Sequence, residues 1–138
     1  MRKLPFIILI AALIVSCNKN STAEQVAHDF LTDYLECRFD DASKLLAEEN
    51  DIQQMMYWRA SQLTQAEIEL IAESPVEVST QDMLERGDSC TIRLRASDAL
   101  LLDSIGVTGR MGTIDCTVTL LKGKKGRNWK VATLNFSY

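Results

Sequence analysis

At Pro75 the hydrophobic pattern of this chain changes period, and no other feature restricts the fold as much. Before it, apolar residues recur three or four apart: Val26, Phe30, Tyr34 and Cys37 with Ala27 and Leu31, then Ala42, Leu45 and Leu46, then Ile52, Met55, Met56, Ala60 and Leu63. That spacing gives helices one buried stripe each. After it, Cys90-Thr91-Ile92-Arg93-Leu94-Arg95-Ala96 and Ile114-Asp115-Cys116-Thr117-Val118-Thr119-Leu120-Leu121 alternate apolar with polar, as half-buried strands do. Pro75 itself ends the helical half, because the residue before a proline is pushed out of the α region. Helices first and strands second predict an α+β fold, with N-terminal helices packed on one face of a curved four-stranded antiparallel sheet.

Element ends are marked too. Ser21-x-x-Glu24 fits a capping box that opens the first helix, which runs on through Arg38. Asp40 is expected to cap a second helix and Asn50 or Asp51 a third, which Thr64-x-x-Glu67 restarts or continues toward Ile68 and Ile71. The first strand covers Val76 to Leu84, with Val76, Val78, Thr80 and Leu84 on one face and Asp82 out of place. Ala99 to Val107 is unusually apolar for a connection between strands. It is either a short helix or strand extension that closes the fold, or an exposed patch of the kind that marks interaction surfaces. Lys122 to Asn128 is a basic, glycine-bearing turn, and Trp129 to Tyr138 is the last strand.

The N-terminus reads differently. Met1-Arg2-Lys3 carries two positive charges and Leu4 to Val15 is wholly apolar, the n-region and h-region of an export signal. Twelve apolar residues are too few for a spanning helix, which needs about 18 to 20. The run ends Leu13-Ile14-Val15-Ser16-Cys17, which resembles the lipobox of bacterial lipoproteins. The resemblance implies a diacylglycerol thioether on Cys17, cleavage before it and acylation of the new amino group. Residues 1–16 are then a signal peptide, 17–22 the lipidated cysteine and linker, and 23–138 the domain. Several acyl chains hold a protein stably at a membrane, where one holds it only marginally. No aspartate follows Cys17, unlike the enterobacterial inner-membrane retention signal, and no acidic cluster follows, unlike some surface-exported Bacteroidetes lipoproteins. The expected location is the outer membrane of a Gram-negative bacterium, facing the periplasm.

Charge is unevenly spread. Glu24 to Asp88 holds sixteen acids against four bases, a net of −12, while Ser89 to Tyr138 holds three acids against eight bases, a net of +5. The two halves complement each other within one domain, or steer a charged partner. The basic turn with Arg93 and Arg95 is weak ground for nucleic-acid binding in an acidic, exported chain, and none is expected. In an oxidising compartment Cys90 and Cys116, on neighbouring strands, are a disulfide candidate, and Cys37 is left as a thiol on a helix face. One histidine and no Cys-x-x-Cys pair give no ground for a metal site, and no cofactor is implied.

The opening helix, the "FDDASKLL" second helix and the late meander ending "NWKVATLNF" together resemble the nuclear transport factor 2-like superfamily, and within it small bacterial lipoproteins of uncharacterised function. The resemblance covers about Thr22 to Tyr138 and rests on order and spacing; a cystatin-like helix-on-sheet arrangement is the alternative. It implies a cone of helices and sheet around a pocket, in a superfamily that includes ketosteroid isomerase, scytalone dehydratase and polyketide cyclases. None of those enzymes' motifs maps onto this chain residue by residue. His28, Asp82 and Asp115 are the available titratable groups, and each reads more simply as a solvated or satisfied side chain.

No catalytic residue is therefore assigned, and the chain is expected not to be an enzyme. Binding has better candidates. Met55-Met56-Tyr57-Trp58-Arg59 surrounds a whole helical turn with soft and aromatic side chains, so some must face a pocket rim, a partner or solvent. Tyr34, Tyr57, Trp58, Leu101 and Ile105 are the ligand or partner candidates. The expected function is non-catalytic binding of a small apolar ligand or a protein partner. The alternatives are a self-associating module, in which the chain forms a homodimer within an envelope complex, and a pocket enzyme of the isomerase or dehydratase kind.

Overall fold

A computed structural model describes residues 22–102, 109–123 and 128–137, with the backbone alone for 101, 102 and 109–111. Four helices precede four strands: α1 (Ala23–Leu35), α2 (Phe39–Ser43), α3 (Ile52–Gln62), α4 (Gln65–Glu73), β1 (Glu77–Arg86), β2 (Ser89–Leu102), β3 (Gly109–Lys122) and β4 (Trp129–Ser137). The strands form one antiparallel meander in the order β1-β2-β3-β4. The helices-then-sheet α+β architecture is the one the change of period predicts. No described helix is long and apolar enough to cross a membrane.

Helix starts follow local chemistry, with small shifts from expectation. The capping box of α1 is Thr22 with Gln25, one residue later than Ser21 with Glu24; each backbone N–H donates to the other's side chain at 3.1 Å. Glu24 is thereby left to accept from the Thr80 hydroxyl on β1 at 2.6 Å. Asn50, rather than Asp51, caps α3, its Oδ1 accepting from Ile52 and Gln53. Thr64 and Glu67 form a complete capping box, so α4 restarts the chain instead of continuing α3. Helix α2 begins after Arg38, not at an Asp40 cap, and stops at Ser43. It ends short of Leu45 and Leu46 because β4 takes their backbone: Val131 N–H donates to Leu45 O at 2.7 Å and Ala47 N–H to Val131 O at 2.8 Å.

The sheet's inner face is the core. Ile92 and Leu94 of β2, Cys116, Val118 and Leu120 of β3, and Val131 of β4 are buried against Ala27, Phe30 and Leu31 of α1. Three bulges adjust the strands. One falls between Thr80 and Asp82, and it resolves the misfit of Asp82. Gln81 is the extra residue, so Asp82 stands opposite Arg93 on the outer face while Met83 takes the inner register opposite Ile92. Leu84 consequently points outward and is exposed, not aligned with Val78 and Thr80 as its spacing suggests. A second bulge in β2, between Ala96 and Ala99, contains Asp98 at φ 59°. Beyond it the strand continues to Leu102, so the described part of the apolar connection is strand extension, with Ala99 and Leu100 buried.

Register also corrects the cysteine pairing. Cys90 stands opposite Leu120 and Cys116 opposite Leu94, four residues apart along the ladder. At about 3.3 Å per residue this offset is about 13 Å, far beyond the roughly 7 Å that a disulfide spans. Both are free, buried thiols, and Cys37 is free as well. The alternation that puts both cysteines on one face is real, but it does not fix which residues stand opposite.

Candidate functional site

The feature that packing alone does not account for is Arg59. Along α3 the buried row runs Ile52, Met56, Arg59, and Leu63 follows at the C-cap, with spacings of four, three and four. A guanidinium thus occupies a position where an apolar residue is expected. Arg59 is 5% exposed, the one buried charged residue among those described. Its Nη2 donates to Leu35 O at 3.2 Å and to Leu100 O at 3.0 Å. The first acceptor is an end carbonyl of α1, where the helix leaves its last carbonyls unpaired and carries partial negative charge. The second lies on β2 just past its bulge. One nitrogen therefore ties α1, α3 and β2 together.

Two further groups frame it. The Tyr34 ring lies 5.8 Å below the guanidinium carbon and is itself buried among Phe30, Phe39 and Phe136. Cys37 is half-buried; burial pushes its thiol pKa up, and the charge and hydrogen bond of Arg59 oppose that rise. Cys37 also holds an unusual backbone. It follows the C-cap of α1 at φ 63°, with its N–H donating to Tyr34 O and the Arg38 N–H donating to Asp33 O at 2.8 Å. This is the Schellman ending, in which that position is normally glycine because a Cβ is disfavoured there. Arg38 then pairs with Asp33 and Glu36, and Glu36 accepts from the Val76 N–H, fixing the helix end to the start of the sheet.

Arg59 Nε remains buried with no hydrogen-bond partner. Such a group costs about 1–3 kcal/mol, more when charged, and buried charges are ordinarily matched by a carboxylate. The ion pairs among described residues involve Arg38, Lys44 and Arg95 instead. A cation pinned in place with a buried Nε–H to spare can receive an acceptor. That is binding chemistry.

The other sequence candidates are spread out. Tyr34 is in the core beside Arg59. Tyr57 and Trp58 point outward, 73% and 45% exposed, while Met56 is buried and Met55 half-buried. The crowded helical turn is thus divided, with methionines inward and aromatics outward. Leu101 belongs to β2, but its side chain lies outside the described residues, as do Ile105, Cys17 and the whole lipobox segment. Cys90 and Cys116 lie in the main core, and burial drives the Cys116 thiol up to about 12.

His28 faces β1, against Thr80. Thr80 gives its only hydroxyl proton to Glu24, so at 2.7 Å it accepts from His28 Nε2. The arrangement holds α1 to β1, and that nitrogen is occupied as a donor. Asp115 is likewise engaged on the outer face: Arg95 donates to both its oxygens, at 2.8 and 3.2 Å, and holds its carboxyl below the usual range. Among the described residues no group of three His, Cys, Asp or Glu side chains could hold a metal ion. Arg59 itself was missed by sequence reasoning, which placed Ala60 on the buried stripe. The usable signal was the 52–56–59–63 spacing.

No family model and no curated protein matches the chain. Among solved structures, an NTF2-like protein of unknown function from Cytophaga hutchinsonii is similar to it at 13% identity, over 84% of this chain and 90% of that one, with a TM-score of 0.41.

Proposed function

We propose that this chain is a lipid-anchored envelope protein whose nuclear transport factor 2-like domain is a non-catalytic binding module for a small ligand. The observation that carries the binding half is Arg59, buried and rigidly held where α1, α3 and β2 meet, with its Nε–H left unpartnered. The anchoring half rests on Leu13-Ile14-Val15-Ser16-Cys17 behind a short apolar run. In this reading residues 1–16 are removed, Cys17 carries the lipid, and the domain works beside the outer membrane in the periplasm. Of the titratable groups open to the enzyme alternative, His28 and Asp115 are committed to Thr80 and Arg95, and Asp82 stands opposite Arg93 on the outer face.

The full chain, produced in a Gram-negative host and extracted from its membranes, tests both halves by mass spectrometry. Loss of residues 1–16 with diacyl or triacyl mass on Cys17 is expected in the denatured spectrum; an unmodified Cys17 overturns the anchor. Extra non-covalent mass on a monomer is expected in the native spectrum, and a bare monomer overturns the ligand. A second reading is favoured by the exposure of Tyr57 and Trp58 on α3, which suits a protein partner or a second copy. A dimer lost on Trp58→Ala would support it.

A further inference from the structure

We propose that Arg59 receives the carboxylate of a small organic monoanion, entering past Cys37. The inference rests on the ligand-binding reading above and names the class of ligand. Both hydrogen bonds from the guanidinium to backbone carbonyls leave from Nη2, to two different elements, so its plane is fixed before anything binds. A preorganised donor loses little freedom on binding. Its Nε–H is buried without an acceptor, and none of the ion pairs described neutralises its charge. The end of α1 supplies only a partial negative charge, on the order of half an elementary charge. One full negative charge with an oxygen acceptor completes the site.

The surroundings narrow the ligand. Leu63, Ile71 and Leu100 are buried together with Cys37 packed against them, which suits the hydrocarbon part of an organic acid. A phosphate dianion fits poorly: it would leave surplus charge in this apolar setting, in a chain whose Glu24 to Asp88 stretch already has a net of −12. Nη2 is already engaged, so the acid meets Nε through a single charge-assisted bond and not through a two-pronged clasp. Cys37 is the half-exposed member of the group and marks the way in.

The test is nitrogen-15 NMR of the full chain, following the arginine Nε–H resonances during titration with benzoate and with benzamide, its neutral isostere. Arg59→Lys identifies the Arg59 resonance by its loss. Should that variant not fold, slow exchange with water identifies it in the native chain, since Arg59 is the one buried arginine described. Benzoate is expected to move this resonance saturably downfield while benzamide leaves it in place, and Arg59→Lys is expected to weaken benzoate by about tenfold to a hundredfold. Equal response to benzoate and benzamide overturns the carboxylate inference while leaving an apolar-ligand module standing. No response to either overturns the inference; bare native protein in the mass spectrum then removes the ligand reading as well. A response at exposed arginines only also overturns it.

Discussion

Two buried clusters lie under the helices, and they are built by different rules. The larger, between α1 and the sheet, is filled by aliphatic and aromatic side chains such as Phe30, Leu31, Ile92, Leu94 and Val118. The smaller holds Leu63, Ile71 and Leu100, with a cysteine packed against it. Arg59 stands between them, bonded to the backbone of Leu35 in the first and Leu100 in the second. The large cluster obeys hydrophobic burial and close packing alone. Where the two meet, a desolvated charge and a left-handed cysteine are tolerated, and both are costs that stability by itself would remove. Such departures from local consistency gather where a chain does something besides fold.

The contrast can be broken by measuring each side. Phe30→Ala should cost about 3–5 kcal/mol in chemical denaturation, because Phe30 is fully buried and its cavity lies under α1. If Leu63→Ala costs as much, the two clusters do not differ as described. Arg59→Met should cost about 1–3 kcal/mol by the same method, since Leu35 O and Leu100 O lose their donor. A more stable Arg59→Met protein would mean that the charge is retained wholly for function.

The next effect is in pH. The Cys116 thiol is raised from 9.0 to about 12 in the fold. Its contribution is fully present below pH 9 and is lost as pH rises toward 12, because the unfolded thiol gives up its proton first. That loss should reach on the order of 1 kcal/mol at pH 10. Comparing denaturation at pH 8 and pH 10 checks it: the fall in stability should be smaller in Cys116→Ala than in the native chain.

Two smaller effects sharpen the picture. Thr64→Ala removes the cap of α4 and should cost about 1 kcal/mol, read as faster amide exchange in the first turn of that helix. Cys37→Gly relieves the φ of 63° and should raise the melting point, by up to about 1 kcal/mol of stability. A lower melting point would show that the thiol's packing beside Arg59 outweighs the backbone strain.

Much of the architecture was legible because it follows from periodicity. The change of pattern at Pro75 placed the helices and the sheet, and Thr64-x-x-Glu67 marked a helix start that the structure keeps. What escaped depended on contacts distant in sequence. The cysteine pair failed because alternation fixes the face of a strand and not its register, and register is set by the hairpins and bulges. Leu84 failed because one extra residue, Gln81, reverses the face of everything after it. Leu45 and Leu46 left their helix for a pairing with Val131, more than eighty residues away. Arg59 was readable in principle, but a charged residue on a buried row is easily set aside in favour of its small neighbour Ala60.

The margins of the sheet also have a consequence. Beside β4, the segment from Leu45 to Ala47 occupies the backbone of Val131, so that margin is partly closed by the chain's own strand-like segment. Beside β1 nothing comparable is described, yet that strand bears Glu77, Asp82 and Glu85 and is interrupted at Gln81. Charge and a break in the ladder are how proteins keep an outer strand from templating another molecule. One margin is guarded by occupancy and the other by repulsion and irregularity. Molecules of this kind can therefore be concentrated without zipping together sheet to sheet.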